Sequence, residues 1–192
     1  MKWMILGLVG VIVTGCSGAD ERPDSELILG GQTKMTRAKD GNWLQEFDVD
    51  GDGRVDVTKV MEEYPDPNDP SVTKTRMIEK RVDVNSDGKL NIVRKYNEEG
   101  RVMLEDVDTD LDGVFDFRNH LDAGRIVKKE LYDAEGRIVA TRYYDKGEIQ
   151  RVEKDTTGDQ KVDYWEFYEQ GVLDRIGRDL NADGRADTWQ TQ

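Results

Sequence analysis

The chain has 192 residues, 36% of them hydrophobic and 36% charged, and 41 Asp and Glu against 28 Lys and Arg leave it at −13. So lean and acidic a composition excludes a thick apolar core, and with no basic stripe legible it argues against nucleic acid as a partner. A single cysteine excludes an intramolecular disulfide, and a single histidine with no Cys or His cluster argues against zinc chemistry and against an enzyme.

Residues 1–15 open with Met1-Lys2, continue as an apolar run from Trp3 to Val13, and end just before Cys16. That order predicts a secretory signal, with an apolar run too short to span a bilayer. Residues 16–33 are polar, with Pro23 and the Gly30-Gly31 pair, and are expected to form a flexible tether. Residues 34–192 are expected to form one β domain. Short runs rich in Val, Ile, Tyr, Phe and Trp alternate there with turn signals, and no window keeps the apolar spacing of a helix. Glu62 to Ser71, with Pro65, Pro67 and Pro70, reads as an exposed spacer loop, since proline is excluded from a central strand. His120, beside Asn119 and a turn, is expected at a strand end or exposed rather than as a general base. In KVDYWEFY, Val162, Tyr164 and Tyr168 share one face while Trp165 and Phe167 share the other, so both faces are partly apolar. The fold class predicted is all-β: an elongated antiparallel β-meander of repeated hairpins, roughly a dozen strands long, with metal-binding loops at the tips. Acidic loops and short glycine-ended turns close its hairpins in irregular alternation.

Five nine-residue loops carry the chemistry. Their oxygen-bearing residues fall at positions 1, 3, 5 and 9. The first has Asp48, Asp50, Asp52 and Asp56, and the second Asp83, Asn85, Asp87 and Asn91. The third has Asp108, Asp110, Asp112 and Asp116. The fourth has Asp155, Thr157, Asp159 and Asp163, and the fifth Asp179, Asn181, Asp183 and Asp187. Alternate oxygens on a curled loop can converge on one point, and a hard cation such as Ca²⁺ takes six to eight of them. Magnesium suits the loops less, because it prefers a rigid octahedron and keeps its waters. Asp, Asn and Gly are also the favoured residues of plain hairpin turns, so the same spelling serves a loop with no ion. A helix-loop-helix site would need Glu at position 12, where four of the five loops have Lys59, Arg94, Asn119 and Gln190. Glycine at position 6 (Gly53, Gly88, Gly113 and Gly184) suits a sharp turn. The fourth loop has Gln160 there and Thr157 at position 3, and is expected to bind weakest.

Three resemblances add to this reading. Val13-Thr14-Gly15-Cys16 resembles a bacterial lipobox, with valine where leucine is more usual, which implies lipidation of Cys16. Ser17 after it implies sorting to the outer membrane. The acidic loops resemble the D-x-D-x-D-G-x-x-D loop of integrin-type propeller repeats. That implies calcium ligands at positions 1, 3, 5 and 9 plus the position 7 carbonyls of Arg54, Lys89, Val114, Lys161 and Arg185. Tyr132 to Ile138, with Tyr96 to Val102 and Tyr143 to Ile149 as weaker copies, resembles the YD repeat of Rhs-type surface proteins and supports a hairpin fold.

The function expected is that of a non-catalytic, calcium-binding outer-membrane lipoprotein, a structural or scaffolding part of a cell-envelope assembly. Its partners would be outer-membrane or surface proteins, with the membrane reached through the lipid anchor. A resemblance to lipoproteins of predatory and gliding bacteria implies motility or adhesion. The alternative is a carbohydrate- or matrix-binding surface adhesin, with a glycan as partner. A hydrolase using metal-assisted chemistry stands third.

Overall fold

The computed structural model describes residues 32–191. Thirteen strands run in chain order: β1 (Gln32–Arg37), β2 (Trp43–Asp48), β3 (Val57–Pro65), β4 (Thr73–Val82), β5 (Ile92–Tyr96), β6 (Val102–Val107) and β7 (Phe117–Asp122). They continue as β8 (Arg125–Tyr132), β9 (Ile138–Asp145), β10 (Glu148–Lys154), β11 (Tyr164–Glu169), β12 (Val172–Arg178) and β13 (Thr188–Thr191). Each pairs antiparallel with its sequence neighbours, in one open sheet of order β1 to β13. The all-β meander expected from the sequence is thus the fold. The signal segment 1–15 and Cys16 lie outside the described residues. β1 begins inside the segment expected as tether, because Gln32–Arg37 finds a full register of partners along β2.

Counting strands sorts the turns. Chain ends of even strands all point to one edge of the sheet, and there the five acidic loops sit, joining β2 to β3, β4 to β5, β6 to β7, β10 to β11 and β12 to β13. The remaining slot on that edge, β8 to β9, holds the turn Asp133–Arg137. The opposite edge carries the other turns. Three of these are the pairs Ala123-Gly124, Lys146-Gly147 and Gln170-Gly171, with both residues of each pair at positive φ, as a type I′ turn requires. The alternation of turn types, irregular along the sequence, is therefore nearly regular in space.

Register follows the same division. The ladders closed by acidic loops run without a shift. Register shifts fall in hairpins closed by short turns, as at His120/Leu121, Ile149/Arg151 and Phe167/Tyr168. A bulge adds local twist, so the added twist falls in hairpins not closed by acidic loops, β8 to β9 with its shift at Leu131/Tyr132 among them. Of the expected proline loop, Glu62–Pro65 belongs to β3, with Pro65 as the strand's last residue opposite Thr73, while Pro67 and Pro70 lie in the turn. Proline is tolerated at a strand's end because little ladder follows it.

No strand approaches any but its sequence neighbours, so among the described residues the sheet is a single layer. Burial is then achieved within each face. On one face an unbroken cross-strand row runs Phe47, Val57, Val82, Ile92, Val107, Phe117, Leu131 and Ala140, directly beneath the acidic edge. Long cationic side chains roof it: Lys59 Nζ stands 5.0 Å from the Phe47 ring centre and Lys129 Nζ 3.4 Å from that of Phe117. Their methylene stems cover apolar surface while their charges meet the ring faces.

The other face is an ion-pair ladder. Arg118 donates to both oxygens of buried Asp106, at 2.6 and 3.0 Å. Glu130 accepts from Lys128 Nζ at 2.8 Å and lies 3.1 Å from His120 Nε2. His120 is therefore a half-buried, in-strand member of a charge network, not the strand-end or exposed residue expected. Burial alone would raise the Glu130 pKa, but the hydrogen bonds and charges of Lys128 and His120 outweigh it and hold the group at about 2.

Two outcomes are expected. Phe47, only 2% exposed, should cost about 3 kcal/mol when changed to Ala, against under ~0.5 for Val172→Thr at 69% exposure, both read by urea unfolding. Because folding lowers the Glu130 pKa from its ordinary 4.5, its contribution is present above pH 4.5 and is lost as pH falls toward 2. Glu130→Gln should flatten the stability profile in that window.

Candidate metal centres

All five loops follow one backbone path, set by their own carboxylates. The position 1 aspartate receives the amide of position 6: Gly53 to Asp48 at 3.0 Å, Gly88 to Asp83 at 2.7 Å, Gly113 to Asp108 at 2.9 Å, Gln160 to Asp155 at 2.8 Å and Gly184 to Asp179 at 2.7 Å. In four loops its other oxygen receives the amide of position 4, from Gly51, Leu111, Gly158 and Ala182. Position 9 reaches back to the amide of position 2, from Val49, Val84, Thr109, Thr156 and Leu180. Position 5 accepts from the amide of position 7 in every loop. These bonds require two left-handed residues per loop, at positions 4 and 6. Positive φ occurs at Gly51, Ser86, Leu111, Gly158 and Ala182, and again at Gly53, Gly88, Gly113, Gln160 and Gly184. Position 4 escaped the sequence reading because only two of its five residues are glycine. Gln160, expected to spoil the fourth loop, adopts the left-handed conformation at φ 66 and keeps the path.

Acidity follows from the same bonds. The Val49 amide, then the Ser86 hydroxyl, hold Asp56 below the usual carboxylate range. The Thr109 hydroxyl and amide do the same for Asp116. For Asp155 and Asp179 burial acts upward, but three or more loop amides overcome it. Each carboxylate has about four lone-pair sites, so even those that accept three amides keep capacity for an ion.

Convergence is uneven. Carboxylate oxygens of Asp48, Asp50 and Asp56 lie within 4.8 Å of one another, and so do those of Asp108, Asp110 and Asp116. Two clusters can thus hold a metal ion. Asp52 and Asp112 stand outside these triads. In the second, fourth and fifth loops Asn85, Asn91, Thr157 and Asn181 replace a carboxylate at position 3 or 9, so three acids do not meet. The second loop has a different feature. Asp83 is 6% exposed, and its Oδ1 has no hydrogen-bond donor. In the other loops the position 4 amide bonds the aspartate there, whereas Ser86 turns its hydroxyl to Asp56 Oδ1 of the preceding loop, at 2.9 Å.

The loops also touch along the edge. Position 1 amides donate to the position 9 carbonyl of the preceding loop, Asp83 to Asp56 and Asp108 to Asn91 at 2.8 Å and Asp179 to Asp163 at 2.9 Å. Position 7 side chains bridge the gaps: Arg54 donates to the Ser86 carbonyl, and Lys89 Nζ to the Asp112 carbonyl at 2.5 Å. Position 7 was singled out for its carbonyl, and this use of its side chain was missed. The signal was legible as a basic residue there in four loops and Val114 in the third. The slot after the third loop is the Asp133–Arg137 turn, where Val114 lies beside Gly136.

No protein-family model and no curated protein sequence matches the chain. Among solved structures it is similar to a chain from accessory secretory protein 1, 2 and 3 of Streptococcus pneumoniae, with 17% identity over 56% of this chain and a TM-score of 0.37. It is also similar to a chain of the Glycosylation Associate Protein complex from Streptococcus agalactiae, with 16% identity over 64% of this chain and a TM-score of 0.28. This chain covers 19% of each of those chains, too slight an overlap to carry their roles across.

Glycine chemistry gives a test of the loop path. At Gly53 an added Cβ meets nothing within 4 Å, so Gly53→Ala should lose only the left-handed preference, about 1 kcal/mol. At Gly113 the same Cβ collides with the Lys89 side chain, so Gly113→Ala should lose distinctly more by displacing that bridge. Gln160→Gly should gain up to about 1 kcal/mol. Urea midpoints of the three variants check the order.

Proposed function

We propose that this protein is a calcium-stabilised lipoprotein of the outer membrane, anchored through Cys16, that serves as a non-catalytic structural or scaffolding component docking on other envelope proteins. The observation carrying the metal reading is the convergence of Asp48, Asp50 and Asp56, repeated by Asp108, Asp110 and Asp116. The donorless, buried Asp83 Oδ1 adds to it, since a cation at that loop would meet an acceptor otherwise left unsatisfied. Oxygen-only ligands and a pliable loop suit calcium over zinc or magnesium.

The metal's role is structural. A single-layer sheet buries little apolar area, and a row of like-charged loops along one edge opposes its own assembly. Cations in the loops would cancel that charge and fix the hairpin ends from which the regular ladders run. The first and third loops are the strongest sites on this reading, and the fourth, lacking a carboxylate at Thr157, the weakest. Scaffolding rests on the elongated open form together with the lipobox.

Extracellular calcium modules bind at about 10⁻⁴ to 10⁻³ M, so free calcium at tenfold Kd stabilises by about 1.4 kcal/mol per site. EGTA should therefore lower the melting temperature by several degrees. Asp108→Asn with Asp110→Asn should reduce the calcium heat in titration calorimetry while leaving the β signal in place. A melting curve indifferent to EGTA, with no calcium heat in the unaltered protein, would overturn the reading.

A further inference from the structure

Cross-strand register assembles a basic row that no stretch of sequence displays. On the face roofed by cations, Lys59, Lys80, Arg94, Glu105, Asn119, Lys129 and Arg142 stand directly opposite one another on strands β3 to β9. Five of these seven are cations. The single carboxylate, Glu105, is already engaged by Arg94 Nε at 2.7 Å and Asn119 Nδ2 at 3.0 Å. Among the described residues no carboxylate stands at salt-bridge distance from Lys80, Lys129 or Arg142.

Like charges placed directly opposite on adjacent strands destabilise a sheet. Here Lys80 faces both Lys59 and Arg94, and Lys129 faces Arg142. Burial, then the Arg142 charge, push the Lys129 ammonium below its ordinary pKa. The opposite face pairs its charges throughout the same strands, as Asp106 with Arg118 and Glu130 with Lys128. The fold can thus match charge, and along this row it leaves Lys80, Lys129 and Arg142 without a carboxylate among the described residues. Two residues further along the strands, Trp43, Met61, Tyr96 and Tyr144 flank the row on the same face.

We propose that this face binds a linear acidic polysaccharide, a polyuronate lying across strands β3 to β9 with its carboxylates on the basic row and its sugar rings on the flanking aromatics. Spacing favours that occupant over other acidic chains. Cations stand one strand step of roughly 4.8 Å apart over β3 to β5 and again over β8 and β9, and two such steps, about 9.6 Å, match the two-ring repeat at which a polyuronate returns its carboxylates to one side. An extended acidic peptide presents same-side carboxylates about 6.8 Å apart, commensurate with neither one strand step nor two, while the acidic loops of a second copy, about 9.6 Å apart, hold carboxylates already bonded to their own amides. The row spans about 29 Å over six strand steps, which suits a polymer on an open face. The inference is independent of metal in the loops, which lie on the sheet's edge.

Titration calorimetry on the full-length protein, with an oligogalacturonate long enough to span the row, tests it. The titration is run in chelator, below the chelated melting transition, so that calcium cannot bridge the sugar acid to the loops. Binding should weaken with salt, and Lys80→Glu with Arg142→Glu should reduce affinity at least roughly tenfold with the circular dichroism unchanged. Lys146→Glu, on the short-turn edge, should leave affinity as it was, and a neutral maltooligosaccharide should not bind. Equal affinity in the double variant, or binding that appears only with calcium, would overturn the row as the site. Polyglutamate or single-stranded DNA binding as tightly would overturn the polyuronate assignment. Low-salt self-association abolished by the double variant, without sugar binding, would assign the face to a second copy instead.

Discussion

A strand in this sheet can bury its side chains only beneath those of the strands beside it, because among the described residues neither face has a second layer over it. Ordinary β domains solve the problem by packing two sheets about 10 Å apart. Here long charged side chains take the place of the missing layer. Lys59, Lys129, Arg151 and Arg175 lie over Phe47, Phe117, Tyr143 and Phe167, each an apolar stem ending in a charge above a ring. That is why a chain with as many charged as hydrophobic residues folds as a sheet at all. The charge is part of the covering.

The acidic edge answers a second consequence of the same constraint. A long meander with no opposing sheet must hold its register strand by strand, and a slip of one residue would exchange its two faces. Each acidic loop ties positions 2, 6 and 7, and in four loops position 4 as well, to its own oxygens, so the two strands leaving it start in step. The ladders confirm the effect: those that grow from acidic loops run unshifted, and the bulges gather in the other hairpins. Position 7 cations then tie one loop to the next, Arg54 to the second and Lys89 to the third. Carboxylates that could bind an ion are therefore also the carboxylates that shape the loop. That double duty explains why so many recur without making each loop a full ligand set.

The two faces divide the remaining work. One is closed electrically, with Asp106, Arg118, Glu130, Lys128 and His120 in mutual contact. The other keeps an apolar row under the acidic edge and sets an unbalanced basic row beside it. An acidic edge and a basic face stand on one sheet whose overall charge is −13. Net charge alone conceals that separation.

What the sequence determined by itself was whatever is local in the chain. The two-residue spacing of oxygens in each loop, the glycines at position 6 and the alternation in segments such as KVDYWEFY act over a few residues, so they specified hairpins, turns and candidate ligands without help. Left-handed Leu111, Ala182 and Gln160 were not legible, because those residues disfavour the conformation and adopt it only when an aspartate captures their amides. Only the tertiary structure decided which elements stand side by side. The gathering of all five loops on one edge depends on the count of strands between them. The alignment of Lys80 with Arg94, and of Lys129 with Arg142, depends on ladder register. Both arise from hydrogen bonds between strands, and no pattern along a single strand encodes which partner it will meet.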